Sequence, residues 1–186
     1  MDWSKHAVLL IDVQNDSLDN TADFPAFQDN ITGLLSLARR TGIEVIHIRV
    51  TFKEGDSNAW VEGTYGAEPA PFAQDTPDEK VFYKHWIDGF YNTGLEEYLK
   101  AKQIQHVLCA GLATPICVVI KALSAQQRGF LTTIVRDCCA APKKSHDFAL
   151  EIYGGFVDDV IDFEEITEKH ARWEEKMSYG RQDDSR

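Results

Sequence analysis

The sequence predicts a doubly wound α/β fold: a mainly parallel six-stranded sheet with helices on both faces, a Rossmann-like three-layer sandwich. Three observations lead there. Short β-branched and apolar runs alternate with segments of helical period, the pattern of strand–helix–strand units. The first run is apolar throughout, as a strand buried on both faces must be. No repeat, low-complexity tract or linker divides the 186 residues. Residues 1–177 therefore read as one domain and 178–186 as a polar tail.

The elements follow in order. Ala7 to Ile11 is the first strand. Phe27, Ile31, Leu34, Leu35 and Ala38 recur at helical spacing, with Gly42 as a C-terminal stop. Glu44 to Val50 is the second strand, and Thr51 to Glu79 is a long segment of little periodicity broken by Pro69, Pro71 and Pro77. Val81 to Tyr83 is a short third strand, and a helix follows around Leu95, Tyr98 and Leu99. Val107 to Ala110 is the fourth strand, Pro115 to Arg128 a helix ended by Gly129, and Leu131 to Val135 the fifth strand. Ser145 is placed to cap a helix running to Tyr153, Gly154 and Gly155 end it, and Phe156 to Ile161 is the last strand before a charged helix.

Composition excludes several classes of function. A formal net charge of −11 opposes binding to a phosphate backbone, which needs clustered Lys and Arg. No partner nucleic acid and no membrane are expected. The longest apolar stretch, Val107 to Ile120, is broken by Gly111 and Pro115 and too short to span about 30 Å of hydrocarbon. No signal peptide is visible, and a cytoplasmic location is expected. Cys109, Cys117, Cys138 and Cys139 show no C-x-x-C spacing, so all four are expected as free thiols. The Cys138–Cys139 pair reads as buried residues just after a strand rather than as a redox element. No Gly-x-Gly-x-x-Gly follows the first strand, which excludes the usual dinucleotide site.

Parallel sheets bind ligands beyond the carboxyl ends of their strands, where the strand order reverses. Three residues stand at such ends: Asp12 after the first strand, Lys84 after the third, and Cys117 after the fourth, in Gly111-Leu-Ala-Thr-Pro-Ile-Cys117. Thr114 suits an N-cap and Pro115 a first helical position. Cys117 then sits in a first helical turn, whose positive end favours a thiolate and leaves N–H groups free nearby. A nucleophile beside free donors suits acyl transfer, with the donors holding the developing oxyanion. Asp12 is placed to take the thiol proton and return it to a leaving nitrogen, and Lys84 to favour both anions. Each residue alone has an ordinary alternative: a turn Asp, a surface Lys, a small core Cys. Their shared position at strand ends carries the reading. Arg49, Trp60, Tyr65 and Trp86 are the candidate substrate-binding residues, and a small molecule is the expected partner.

Leu9-Leu-Ile-Asp12-Val-Gln-Asn-Asp16, then Lys84 with Phe90 and Thr93 downstream, then Ala110-Gly-Leu-Ala-Thr114 and Cys117-Val118, resemble the isochorismatase-like cysteine hydrolases. The likeness extends from about Ala7 to Ile166, including Gly129-Phe130 and Val135-Arg-Asp137. It implies a catalytic Asp12–Lys84–Cys117 set and a cis peptide between Leu112 and Ala113. It also implies an oxyanion hole from the N–H groups of Ala113 and Cys117, and a homo-oligomer, dimer or tetramer. Two departures are notable. Ser17 stands where an aromatic residue is usual, and Pro115 where an acidic residue is common. A strong Thr114 cap on the Cys117 N–H would compete with an oxyanion.

Nicotinamidases of that family carry a metal-binding Asp-x-His after the second strand. Here the region reads Arg49 to Asp56 without such a pair, and the six histidines are scattered without ligand spacing. No metal and no cofactor are expected. The retained Cys117 favours C–N hydrolysis of an amide, ureide or carbamoyl compound over vinyl-ether hydrolysis, which needs no acyl-enzyme. A catalytically silent binding or assembly module is the alternative outside enzymology.

Overall fold

The computed structural model describes residues 1–179. Six strands form one sheet in the order β3-β2-β1-β4-β5-β6, and every pairing is parallel. The strands are β1 (His6–Ile11), β2 (Glu44–Val50), β3 (Lys80–Lys84), β4 (His106–Leu112), β5 (Leu131–Ala140) and β6 (Asp159–Ile161). The helices are α1 (Phe27–Thr41), α2 (Leu95–Ala101), α3 (Val119–Gln127), α4 (Lys143–Tyr153) and α5 (Ile166–Ser178).

The period of two along β1 divides the core. Val8 and Leu10 face α1 and α5, packing with Ile31, Leu34 and Trp173. Ala7, Leu9 and Ile11 face α2, α3 and α4, packing with Leu99, Ala122 and Ala149. Because strands buried on both faces have no polar side to show, the alternation invisible in the sequence becomes two separate cores. Leu9 lies opposite Ile46 on one side and Cys109 on the other. Strand order reverses between β1 and β4, so a crevice opens beyond Ile11 and Leu112.

Several boundaries differ from the sequence reading. β5 runs on to Ala140, because a bulge in β5 between Ile134 and Cys139, opposite Cys109 and Gly111, lets Gly111 pair with Cys139 and Leu112 with Ala140. Cys138 and Cys139 are therefore in the strand and on opposite faces of the sheet, one in each core. β6 begins at Asp159, since Gly154–Phe156 closes as a 3₁₀ turn. Ser145 does not cap α4, which starts two residues earlier with Pro142 at its N-cap. The terminal helix is reached through a capping box instead, Asp162 with Glu165. It runs through Ser178, so the start of the expected tail is helical, and residues 180–186 lie outside the described residues. Gly42 does end α1, at φ +81° with its N–H on Ala38 O.

Candidate active site

The end of β1 is shaped by its neighbours. Asp12 adopts φ +51°, a left-handed conformation that Asp tolerates better than most residues. Its N–H is held by Ile48 O at 2.8 Å, and its own carbonyl accepts from Gln14 N at 2.9 Å. Gly111, beside it on β4, has φ +124°, and a Cβ there would lie 2.0 Å from Ile11 O. Only glycine lets the two strand ends approach this closely.

Gln14, Asn15 and Asp16 then fasten the long irregular segment. The fully buried Gln14 amide donates to Val50 O (2.9 Å) and Ala67 O (2.8 Å) and accepts from Val50 N (3.0 Å). It stands in for a missing stretch of ladder. Asn15 donates to Tyr65 O, and Asp16 accepts from Trp60 N at 2.8 Å. Sequence reasoning gave Gln14 no role, because an amide that completes a sheet has no local pattern.

Asp12, Lys84 and Cys117 meet. Lys84 Nζ lies 2.8 Å from Asp12 Oδ2 and 3.3 Å from Cys117 Sγ. Among the described residues neither Asp12 side-chain oxygen accepts a well-angled hydrogen bond, so the Lys84 contact holds the carboxylate by charge. Burial opposes the Lys84 ammonium, but the charges of Asp12 and Cys117 outweigh it and hold Lys84 above the usual lysine range. Burial, and then the carboxylate of Asp12, push the Cys117 thiol up to about 11 against the opposing pull of Lys84. The expected low-pKa thiolate is thus corrected. At neutral pH the sulfur carries its proton.

The turn bearing Cys117 also differs from expectation. Thr114–Val118 is a wide turn of π type preceding α3, not the first turn of a long α-helix. Ala113 O accepts from both Ile116 N and Val118 N. Thr114 does not cap: its hydroxyl lies 2.8 Å from Nδ1 of His146 on α4. The peptide between Leu112 and Ala113 is cis.

These residues line a cavity of about 470 Å³. Its walls include Val50, Phe52, Trp60, Trp86, Ile87 and Ile116, with Ser17, Asn20 and His85 as polar members. Ser17 Oγ accepts the Trp60 indole N–H at 2.9 Å, so the small residue there leaves room for an aromatic ring arriving from the 51–79 segment. Trp86 lines the cavity while two-thirds exposed (67%). Arg49 does not line it. The period of two turns its side chain to the other face of β2, where it pairs with Asp75. Tyr65 is also outside the lining; its ring is exposed (71%), and its carbonyl accepts from Asn15 and from Glu68 N.

A second buried lysine was missed. Lys121 on α3 is fully buried and donates to Ile87 O at 3.2 Å. Residue 89 is glycine where it passes the ammonium: a Cβ there would stand 2.2 Å from Nζ and displace it. Burial, then repulsion from Lys84, lower it to about 8. Its signal was present in the sequence, as a charge four residues after Cys117 within an apolar helical run. The histidines are also less scattered than they read. His6, His106 and His170 gather at the opposite end of the sheet.

The family model for the isochorismatase domain matches residues 6–165. The isochorismatase family protein YddQ of Bacillus subtilis is 30% identical over 139 residues, 72% of this chain and 77% of its own. The maleamate amidohydrolase of Pseudomonas putida is 30% identical over 123 residues, 59% of this chain and 58% of its own. Among solved structures, an isochorismatase family protein from Desulfovibrio vulgaris superposes with a TM-score of 0.82 at 22% identity, covering 90% of this chain and 99% of that one. The N-carbamoylsarcosine amidase from Thermoplasma acidophilum gives 0.74 at 23%, covering 86% and 96%.

Proposed function

Since the chain belongs to the isochorismatase family, we propose that it hydrolyses a C–N bond of a small amide, ureide or carbamoyl compound through a Cys117 thioester. One observation carries the reading: a thiol, an ammonium and a carboxylate meet within 2.8 and 3.3 Å contacts at the floor of a largely apolar cavity. The amidohydrolases among its relatives support the bond class.

The raised thiol decides the order of events. Cys117 gives its proton to Asp12 as the sulfur attacks the carbonyl carbon, so thiolate is formed only when a substrate can use it. The C–N bond then breaks, and Asp12 passes that proton to the leaving nitrogen. A water attacks the thioester and gives a proton to Asp12. The C–S bond breaks, and Asp12 returns the proton to the departing sulfur. Lys84 stays cationic and offsets whichever of its two neighbours is anionic. The N–H groups of Ala113 and Cys117, both residues of the cavity wall, hold the oxyanion. With the Thr114 hydroxyl engaged by His146, no side-chain cap competes for the Cys117 N–H.

Trp60 and Trp86 supply flat apolar walls for the substrate. We place the enzyme in the cytoplasm, where its four free thiols stay reduced. We also expect it to self-associate. Phe148, Ile152, Tyr153 and Phe156 leave apolar surface exposed on and just after α4, and light scattering reads the assembly directly.

The test is ammonia release from a panel of small amides, ureides and nicotinamide. At least one should turn over, and Cys117→Ala should lower its rate by about 10³-fold or more. Turnover of a vinyl ether undiminished in Cys117→Ala would favour the ether-cleaving reading. No turnover of any compound, with unreactive Cys117, would favour a silent binding module.

A further inference from the structure

The amino end of the sheet, away from the cavity, holds a cluster that the hydrolytic reading does not use. His6 opens β1 and His106 opens β4. His170 and Glu174 stand four residues apart on α5, and so on one helix face. His6 Nε2 lies 3.2 Å from Glu174 Oε1, and His170 Nε2 lies 4.0 Å from the same oxygen. One donor atom from each of the three residues falls within 4.8 Å of the others.

We propose that His6, His170 and Glu174 form a structural site for a divalent transition metal of the zinc type, clamping α5 to the start of β1. Two imidazoles and a carboxylate are a donor set that zinc accepts. At bonds of about 2.0–2.1 Å, tetrahedral ligand atoms stand about 3.3 Å apart. The His6–Glu174 pair already has that spacing. The His170–Glu174 pair must close by less than 1 Å, and His170 and His6, whose ligand atoms lie within 4.8 Å, by about 1.5 Å at most, so both the half-exposed Glu174 and the His170 ring must turn towards the ion.

The surroundings match those of a ligand held from behind. His6 Nδ1 lies 2.8 Å from Nδ1 of the fully buried His106, whose Nε2 lies 2.9 Å from Thr133 Oγ1. With metal on Nε2, His6 carries its proton on Nδ1 and donates it to His106, which then carries its own on Nε2 towards Thr133. Both rings are neutral before and after, so the tautomer exchange leaves no charge in the core. A histidine ligand whose second nitrogen donates to a fixed acceptor is the usual outer-shell arrangement. Trp3 packs 4.1 Å from the His170 ring and Trp173 4.4 Å from the His106 ring, fixing the wall. His170 Nε2 now lies 2.8 Å from the Asp2 carbonyl. With its proton moved to Nδ1 it can face the metal, and the Asp2 carbonyl or a water fills the fourth position. Glu174 is the solvent-facing ligand (side chain 38% exposed) and gives the ion its way in.

The full chain, stripped with chelator, is titrated calorimetrically with Zn²⁺ and spectroscopically with Co²⁺. One equivalent should bind per chain, with the visible bands of four-coordinate cobalt, and Zn²⁺ should raise the melting temperature. Glu174→Gln should weaken binding by about tenfold or more, and His170→Gln should abolish it together with the thermal shift. Hydrolysis by Glu174→Gln should equal that of the unaltered chain, since the clamp is far from Cys117. Binding should persist in Cys117→Ala. The proposal is overturned by no saturable binding, by affinity unchanged in both α5 variants, or by binding lost in Cys117→Ala, which puts the ion on the catalytic thiol. Should one α5 variant fail to fold, the other decides.

Discussion

Replacing Asp12 by Asn should make Cys117 more reactive and the enzyme far less active. With the carboxylate gone, the Lys84 ammonium acts on the sulfur from 3.3 Å without its opposing charge. The pull of Lys84 is already contained in the resting value. What is lost is a carboxylate charge, and Coulomb's law at an effective dielectric constant of about 20 gives about 4 kcal/mol for such a charge about 4 Å away, or about 3 pK units as an upper bound. Allowing for relaxation and water entry, we take a fall of about 2 units. From about 11 the thiol would then come down to the neighbourhood of an ordinary cysteine. At pH 8 the thiolate fraction would rise from roughly one in a thousand to roughly one in ten. Iodoacetamide alkylation of Cys117, followed by peptide mass spectrometry, should therefore quicken by about a hundredfold. Amide hydrolysis should fall by about 10³-fold, because no group is left to carry the proton. The opposite signs separate a proton acceptor from a residue that only supports the fold. Alkylation of Asp12→Asn no faster than that of the parent chain, in a folded variant, would refute the account of the raised thiol. Retained hydrolysis would refute the role of Asp12.

Three other outcomes follow from the geometry. Lys121→Met removes a buried cation whose folded pKa, about 8, is below its unfolded value of 10.5; after the lost bond to Ile87 is counted, it should stabilise the chain by about 1–2 kcal/mol at pH 7 in denaturant melts. Between pH 8 and 10.5 the unfolded parent binds the extra proton, so the parent gains stability as pH rises and the variant's advantage should shrink across that window. Gly111→Ala puts a Cβ 2.0 Å from Ile11 O at φ +124° and should cost about 3 kcal/mol or more, seen as a large fall in melting temperature. Trp86→Ala should raise KM or lower kcat more than Trp60→Ala, measured on whichever amide turns over; equal and negligible effects would remove Trp86 from the site.

What could be read in the chain follows from how local each cause is. The three-layer architecture was legible because buried parallel strands and amphipathic helices write their periods directly into the residues. Asp12, Lys84 and Cys117 were legible because strand ends are short-range events and the switch point gathers them. Arg49 and Tyr65 were misplaced for one shared reason. A side chain's face depends on where its strand stops and how the next segment is tied back. Val50, not Arg49, turned out to look into the cavity, and the ties come from Gln14, Asn15 and Asp16, thirty or more residues away. The continuation of β5 was hidden likewise, since it resumes pairing with β4 only after a bulge of its own between Ile134 and Cys139.

The thiol's protonation state is the case where a local rule gave the wrong sign. A cysteine after a strand and before a helix is expected to ionise readily, because the helix end is positive. That expectation treats the carboxylate as distant. Here the carboxylate and the ammonium are in contact with each other, so the sulfur meets a pair whose fields largely cancel. What remains is desolvation, the largest influence on Cys117. A neutral thiol next to a charged pair costs little at rest and protects the sulfur from stray electrophiles. In the proposed reaction the pair becomes useful only when a carbonyl enters: as the proton moves to Asp12 and the sulfur attacks, the charge that the carboxylate gives up passes through the sulfur to the carbonyl oxygen. Lys84 there has the Asp12 carboxylate as neighbour before attack and again in the thioester. In each tetrahedral intermediate the charge sits on the oxyanion held by the N–H groups, so one negative charge is moved about a fixed cation and none is created in a dry cavity. A site that held a ready thiolate would have to hold it beside a second anion, with one ammonium shared between them.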